Sequence, residues 1–325
     1  MGTYNWVTLG CGAIASQLAQ AMEKEGRTLY GVAGRTYEKA AAFARTYGIT
    51  NVYQTIEDVF TDDAVDIIYI ATPHNTHSQY LNKALEAGKH VLCEKSITLN
   101  AQELAKAHEI AARQQVILAE AMTIYHMPLY KKLYECMKSG QFGSLQTIQM
   151  SFGSYKGYDM NNRFFNPALA GGALLDIGVY ALSFARWFMS QTPDQIVSQV
   201  KFAPSGVDEQ AGILLMNPAG EMTSISLTLH AKQPKRGMIA FDKGYVEIYD
   251  YPRATQAVVT YTDNNRQETI ACGTAGDALR YEIQDMEQAV SGSANAMHLD
   301  YTLDVMSMMT EIRKSWGFSY PEEQV

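Results

Sequence analysis

Trp6-Val7-Thr8-Leu9-Gly10-Cys11-Gly12-Ala13-Ile14-Ala15 sets the pattern of the chain: a short apolar run, two glycines one residue apart, then a helical periodicity from Ile14 to Glu25. Strand, glycine turn and helix in that order aim main-chain N–H groups beyond the helix N-terminus, which is how a pyrophosphate is received. Gly10 permits the tight turn, and Gly12 lacks the Cβ that would hold a ligand off the backbone. Ala15 stands where a small residue lets the helix pack on its strand. Any α/β protein can carry such a turn, so the surrounding pattern decides.

That pattern alternates strand and helix up to about residue 120. Strands are predicted at Trp6–Leu9, Leu29–Ala33, Asn51–Tyr53, Val65–Ala71, His90–Cys93 and Val116–Ala119. Helices are predicted between them, at Ile14–Glu25, Tyr37–Tyr47, Ile56–Phe60, Thr76–Ala87 and Ala101–Gln115. Gly26, Gly48 and Gly88 each follow a helix, and Asn100 with Glu103 reads as a cap and its box partner. The nearly continuous apolar run Val65–Ala71 suits a parallel strand buried on both faces. The alternation gives an α/β, Rossmann-type doubly wound parallel sheet as the first domain, residues 1–124.

Composition narrows the classes. At 325 residues the chain is long enough for two domains and a large core, and 47% hydrophobic with 18% charged is ordinary for a globular protein. Net charge is −8, so the basic footprint of a nucleic-acid binder is missing. Cys11, Cys93, Cys136 and Cys272 lie far apart, as reduced thiols of a cytoplasmic protein would. His74 and His77 have no neighbouring cysteine or carboxylate with metal-ligand spacing, so no metal site is expected. No signal peptide and no apolar run of membrane-spanning length are read, so no membrane partner is expected.

Three strand ends carry polar residues on the edge where such sheets bind ligands. The second ends at Gly34-Arg35-Thr36, without the carboxylate that usually accepts the ribose hydroxyls of NAD. Arg35 offers a fork for a phosphate, with Lys39 one turn on, so NADP is expected over NAD; the competing reading is a solvated turn residue. The fourth runs into Thr72-Pro73-His74-Asn75-Thr76-His77. There Thr72 and Pro73 line the cofactor, Asn75 caps the next helix, and His77 is as well explained by structure as by catalysis. The fifth ends at Glu94-Lys95-Ser96. This is either an ordinary surface pair or a lysine placed to polarise a hydroxyl or carbonyl.

After Leu129–Ser139, a helix, the pattern becomes rich in strands. These are Ser144–Ser154, Ile196–Phe202, Gln210–Met216, Met222–Ala231, Met238–Phe241, Tyr245–Tyr249, Ala257–Tyr261 and Gln267–Cys272. Short hairpin connections such as Asn217-Pro218-Ala219-Gly220 predict an α+β domain, 125–325, around a large, mostly antiparallel open-faced sheet. Ala173–Met189 is apolar nearly all round, hence a buried helix, and Tyr301–Trp316 is a helix near the C-terminus that packs back near the domain junction. Asp176 and Tyr180 lie one turn apart on the buried helix, either as a satisfied structural pair or as part of a site. Gly171-Gly172 ahead of them reads as room for a ligand. The loop from Tyr155 to Asn166, with Arg163, is a substrate wall or an ordinary polar loop.

Taken together, Gly10-Cys11-Gly12-Ala13-Ile14-Ala15, Ala71-Thr72-Pro73 with His77, Ala87-Gly88-Lys89-His90-Val91, Glu94-Lys95, Gly171 through Asp176 to Tyr180, and Trp316-Gly317 to Tyr320-Pro321 resemble the Gfo/Idh/MocA oxidoreductases. The nearest branch is the dimeric dihydrodiol and D-xylose dehydrogenases, in which Tyr replaces the His of inositol dehydrogenases. Ser96 stands where the family usually has Pro, and Tyr125-His126 where it commonly has Arg with an aromatic residue.

The resemblance implies hydride transfer between NADP, or NAD, and a secondary alcohol or carbonyl of a sugar, polyol or dihydrodiol-like substrate. It implies cofactor contacts from Gly10, Cys11, Gly12, Ala13, Ile14, Gly34, Arg35, Thr72, Pro73, His77, Glu94 and Lys95, with Glu94 on the nicotinamide ribose. Substrate contacts come from Lys95, Tyr125, His126, Arg163, Asp176 and Tyr180. Tyr180 and Lys95 handle the proton, since a tyrosine with pKa near ~10 needs a cation beside it at neutral pH, and Asp176 orients. A homodimer or higher homo-oligomer through the open sheet is implied. Some relatives of this fold sense a dinucleotide without chemistry, and that is the alternative reading.

Overall fold

A computed structural model of the chain describes residues 4–323, which divide into two compact units. The first comprises 1–121 with Leu279–Leu299, the second 122–278 with Asp300 onward. The sequence pattern assigned everything beyond 124 to one domain; the return of 279–299 to the first unit is the difference.

In the first unit, β1 (Trp6–Leu9), β2 (Gly31–Ala33), β3 (Asn51–Val52), β4 (Ile67–Ile70), β5 (His90–Glu94) and β6 (Leu118–Ala121) form one sheet in the order β3-β2-β1-β4-β5-β6. All its pairings are parallel. The order reverses beside β1, which creates the crevice where doubly wound sheets receive ligands. Every residue of β4 is fully buried, as its continuous apolar run requires.

Helices α1 (Ala13–Lys24), α2 (Tyr37–Tyr47), α3 (Ile56–Phe60), α4 (His77–Glu86) and α5 (Ala101–Gln114) fill the connections. The Asn100 side chain accepts from the Glu103 N–H at 2.9 Å, and the Glu103 carboxylate takes the N–H of Leu99 at 3.0 Å. Asn75 does not cap α4. A short 3₁₀ turn over His74–Thr76 intervenes, and the Thr76 hydroxyl donates to the Pro73 carbonyl and shares a hydrogen bond with the Thr72 hydroxyl.

The second unit opens with α6 (Thr123–His126) and α7 (Pro128–Lys138). Its strands are β7 (Leu145–Gly153), β8 (Gln195–Phe202), β9 (Asp208–Met216), β10 (Met222–Thr228), β11 (Gln233–Phe241), β12 (Gly244–Tyr249), β13 (Gln256–Tyr261) and β14 (Gln267–Ala271). They form a sheet in the order β14-β13-β12-β11-β7-β10-β9-β8, antiparallel except for β7 with β10. The expected hairpin at Asn217–Gly220 joins β9 to β10, with the Asn217 side chain accepting from Ala219 and Glu221.

A π-helical turn, Leu174–Gly178, continues into α8 (Val179–Phe188) and lies on one face of this sheet. Contact is close because two glycines meet it: a Cβ at Gly178 would stand 2.8 Å from Leu227, and one at Gly237 would stand 2.6 Å from Phe184. The stretch Pro167–Phe188 is long and apolar enough to cross a membrane, contrary to the sequence reading, but 83% of its apolar window is buried, as in a core helix. On the opposite face Val197 and Leu214, register partners, are 67% and 49% exposed.

Two later helices complete the chain, α9 (Ala278–Val290) and α10 (Leu299–Ser315). The periodicity missed α9. In the first unit Glu287 of α9 accepts from the Trp6 indole at 2.8 Å and pairs with Arg27 at 2.5 Å.

Candidate active site

The two glycines after β1 do different work. Gly10 has φ +108, and a Cβ on it would stand 2.5 Å from the Ala71 carbonyl oxygen, so the turn closes against the end of β4. Gly12 is the N-cap of α1 without a side-chain cap, and a Cβ there would meet nothing within 4 Å. The first N–H groups of α1 therefore face open space over a glycine, which fits a dinucleotide pyrophosphate. Cys11 fills the space left by Gly34, whose Cβ would lie 3.3 Å from its sulfur. Burial pushes the Cys11 thiol up, against the opposing charge of Lys39, so it serves as filler. Arg35 and Lys39 are exposed at the tip of β2.

At the end of β5 the Glu94-Lys95-Ser96-Ile97 turn is gripped from its neighbours. The Tyr69 hydroxyl, fully buried in β4, donates to the Glu94 carboxylate. The His74 ring meets the Lys95 carbonyl through Nε2 at 3.0 Å. His77 meets the Ser96 carbonyl through Nδ1 at 3.0 Å and the Thr72 carbonyl through Nε2 at 2.9 Å. From β6, Glu120 accepts the Ile97 N–H at 3.0 Å. The Lys95–Ser96 peptide is cis. His77 is completely buried and joins the Thr72 loop to the lysine turn. Burial pulls its pKa down while the carbonyls it meets pull it up; a neutral ring donates to one of them, an imidazolium to both.

Sequence reasoning named His77 but missed Glu120, whose only signal was a carboxylate within an apolar strand.

In the second unit Asp176 sits in the π-helical turn and Tyr180 in the first turn of α8. Four residues make about one turn at either pitch, so the two keep one side of the helix. Asp176 is 9% exposed and meets Arg163 Nη1 at 3.4 Å. The Phe152 ring lies 6.3 Å from Tyr180 and 5.9 Å from the buried Tyr251, whose hydroxyl is pushed up by burial and by nearby Tyr180. Arg163 and Lys156 lie over the Phe164 ring at 4.2 and 4.6 Å.

Tyr125 and His126, expected to touch substrate, are buried. Tyr125 stacks on Trp187 at 5.8 Å and meets Tyr301 edge-on, as a core residue does. Gly171 and Gly172 are not room for a ligand. A Cβ at Gly171 would strike the carbonyls of Arg163 and Phe164 at 2.7 and 2.8 Å, and one at Gly172 would lie 2.1 Å from Asp208 Oδ1. Among the described residues no group of three or more His, Cys, Asp or Glu is placed to hold a metal ion.

A doubly wound sheet with an open glycine cradle, joined in sequence to an α+β unit carrying paired polar groups on a buried helix, suits a dinucleotide-binding protein. Residues 4–122 match the oxidoreductase family with NAD-binding Rossmann fold, Gfo/Idh/MocA, and residues 130–247 match the Gfo/Idh/MocA C-terminal domain. The chain is 30% identical over 260 residues to trans-1,2-dihydrobenzene-1,2-diol dehydrogenase of Mus musculus, covering 78% of this chain and 77% of that one. It is 29% identical over 315 residues to D-xylose 1-dehydrogenase (NADP(+)) of Hypocrea jecorina, covering 86% and 78%. A levoglucosan dehydrogenase solved with NADH and levoglucosan shares the fold at TM-score 0.88 and 18% identity, over 97% of each chain. A 3-ketoreductase from Actinomadura kijaniata with NADP and TDP-benzene does so at 0.85 and 22%, over 96% and 98%.

The chain belongs to the Gfo/Idh/MocA oxidoreductase family, and it is an NAD(P)-dependent enzyme.

Proposed function

We propose that this enzyme interconverts a secondary alcohol and a carbonyl on a small polyhydroxylated substrate (a sugar, polyol or dihydrodiol), with NADP as the preferred dinucleotide. Bound nicotinamide supplies the hydride acceptor or donor. Tyr180 exchanges the proton at the substrate oxygen, the Lys95 ammonium favours the ionised oxygen, Asp176 orients the substrate, and Glu94 takes the nicotinamide ribose. Arg163, Lys156 and the polar loop between Tyr155 and Asn166 supply donors for substrate hydroxyls. Exposed Arg35 and Lys39, with no carboxylate at the tip of β2, support the preference for the 2′-phosphate.

The observation that carries the reading is the grip on the Lys95 turn. A solvated surface pair needs no buried His77 and Glu120 on its main chain; a residue whose aim matters does.

The relatives' names favour the substrate class: one acts on a dihydrodiol, another on D-xylose. The outer face of the second sheet supports a homodimer, because Val197, Leu214, Met222, Tyr245 and Tyr249 expose apolar surface on one side. Four free cysteines suit a reducing, cytoplasmic setting.

NADPH and NADH oxidation assayed against a panel of aldoses, inososes and vicinal diketones tests the proposal. Turnover of at least one member, with tighter binding of NADPH than of NADH, is expected. Dinucleotide binding without turnover across the panel would overturn the substrate class, and a preference for NADH would overturn the cofactor assignment.

A further inference from the structure

Behind the Gly171-Gly172 turn lies a buried carboxylate that the chemistry above does not use. Asp208, the first residue of β9, is completely buried. Its Oδ2 accepts the N–H of Leu174 at 2.6 Å, at the start of the π-helical turn that carries Asp176. Its Oδ1 has no hydrogen-bond partner among the described residues and lies where a Cβ on Gly172 would be, 2.1 Å away. The position of Gly172, at φ +129, is therefore matched to this one carboxylate.

The surroundings are polar but leave Asp208 without an ion pair. From α10, Arg313 is 2% exposed and turns both terminal nitrogens to Glu323, at 2.5 and 2.8 Å. Tyr320 donates its hydroxyl to the Gly171 carbonyl at 2.8 Å, which braces the same turn from the other side. On the strand, neighbouring Glu209 is occupied by Lys201 at 2.6 Å and by the Tyr158 hydroxyl at 2.5 Å. On the helix, Asp176 meets Arg163. Glu322 adds its charge near Tyr320. The side-chain groups that act on Asp208 are thus Arg313 and Tyr320 from the C-terminal segment, and among the described residues neither pairs with it by contact.

We propose that Asp208 is a positioning residue for the Asp176–Tyr180 helix, tightening its first turn when ionised and relaxing it when protonated. This rests on the reading of Asp176 and Tyr180 as catalytic. An ionised carboxylate binds the Leu174 N–H more strongly than a neutral acid does, and it complements the positive end of the helix. Losing the charge weakens the bond that sets where the helix starts, two residues before Asp176.

Burial is the main cause that raises the Asp208 pKa, against the Leu174 N–H and the Arg313 charge, to about 7. The switch therefore lies near neutral pH. An unfolded aspartate titrates near ~3.9. The raised folded value means that this group's contribution to stability is complete below about pH 4 and is lost as pH rises through about 7. Activity and stability should move in opposite directions with pH, which an inert buried acid would not produce.

The test compares kcat and KM from pH 5.5 to 9 for the wild-type enzyme and Asp208→Asn, with aspartate-13C NMR of both. Wild-type kcat is expected to rise about 5-fold through an inflection near pH 7, with KM little changed. In Asp208→Asn the inflection disappears, kcat stays near the acid-side value, and the melting temperature gains on wild type as pH rises from 4 to 8. The NMR should show one carboxyl titrating near pH 7 in wild type and none in the variant. An inflection that persists unchanged in Asp208→Asn, or the absence of such a carboxyl from the wild-type spectrum, overturns the proposal. Tyr180→Phe run alongside separates the two layers: undiminished activity there overturns the catalytic reading, whereas the NMR titration still reports on Asp208.

Discussion

The two sheets solve opposite problems. The six parallel strands are covered on both faces, so their polar business is confined to the carboxyl edge, where Gly10, Thr72 and Glu94 emerge. The eight-stranded sheet is covered on one face only: Ile213 and Leu215 of β9 are buried while Leu214 between them is 49% exposed. Its covered face supports the helix that bears Asp176 and Tyr180, and its other face stays exposed.

Glycine usage follows the same division. Gly12 keeps space open, whereas Gly171 and Gly172 give space to protein atoms. The residue type alone announces that a Cβ is unwelcome. What it would collide with decides whether the cost falls on ligand binding or on folding.

The sharpest break of this comparison is at the chemistry. Lys95→Ala should lower kcat by ~10³-fold and Tyr180→Phe by ~10²-fold, with dinucleotide affinity, read by fluorescence titration, left in place. Equal loss of binding in Lys95→Ala would turn the lysine into a cofactor anchor.

Next comes the glycine contrast. Gly172→Ala forces a positive φ and a collision with Asp208, so denaturant unfolding should register a loss of ~3 kcal/mol. Gly12→Ala should leave stability within ~0.5 kcal/mol and weaken dinucleotide binding by ~10-fold. If the two variants exchanged phenotypes, the division between the glycines would be wrong.

The smallest effect belongs to the open sheet. Leu214→Glu should change unfolding free energy by less than ~0.5 kcal/mol while shifting a dimer to monomer in light scattering. An unchanged mass would remove that face from the assembly.

Much of the fold is written locally. The central strand β4 of the first unit is a continuous apolar run, and the glycines at helix ends adopt the positive φ that stops a helix, as at Gly48 with φ +64. The eight strands of the second unit follow from alternation and hairpin chemistry. By contrast α9 reads as mixed and polar (Arg280, Glu282, Gln284, Asp285 and Glu287 fall within it), because much of what it meets lies in a unit whose other residues end at Ala121.

The same holds for the site. Glu94 and Lys95 stand out as charges after an apolar strand, and Asp176 with Tyr180 as polar groups on a buried helix. Glu120 and Asp208 do not, since each is matched to a main-chain N–H far along the chain, of Ile97 and of Leu174, which leaves no mark in side-chain pattern. Tyr125-His126 shows the converse: polar-tipped aromatic residues beside a proline look like contacts, and their burial, with the Tyr125 ring packed on Trp187 and Tyr301, leaves no mark in the sequence.

The bond from the Trp6 indole to Glu287 spans 281 positions of the chain. During synthesis, β1 leaves the ribosome well before α9. Between them the ribosome makes the whole second sheet. Domains usually mature in the order they are made. Here the nucleotide-binding unit must wait for a helix encoded after its neighbour, so an early stop beyond the second sheet would spoil the first unit as well.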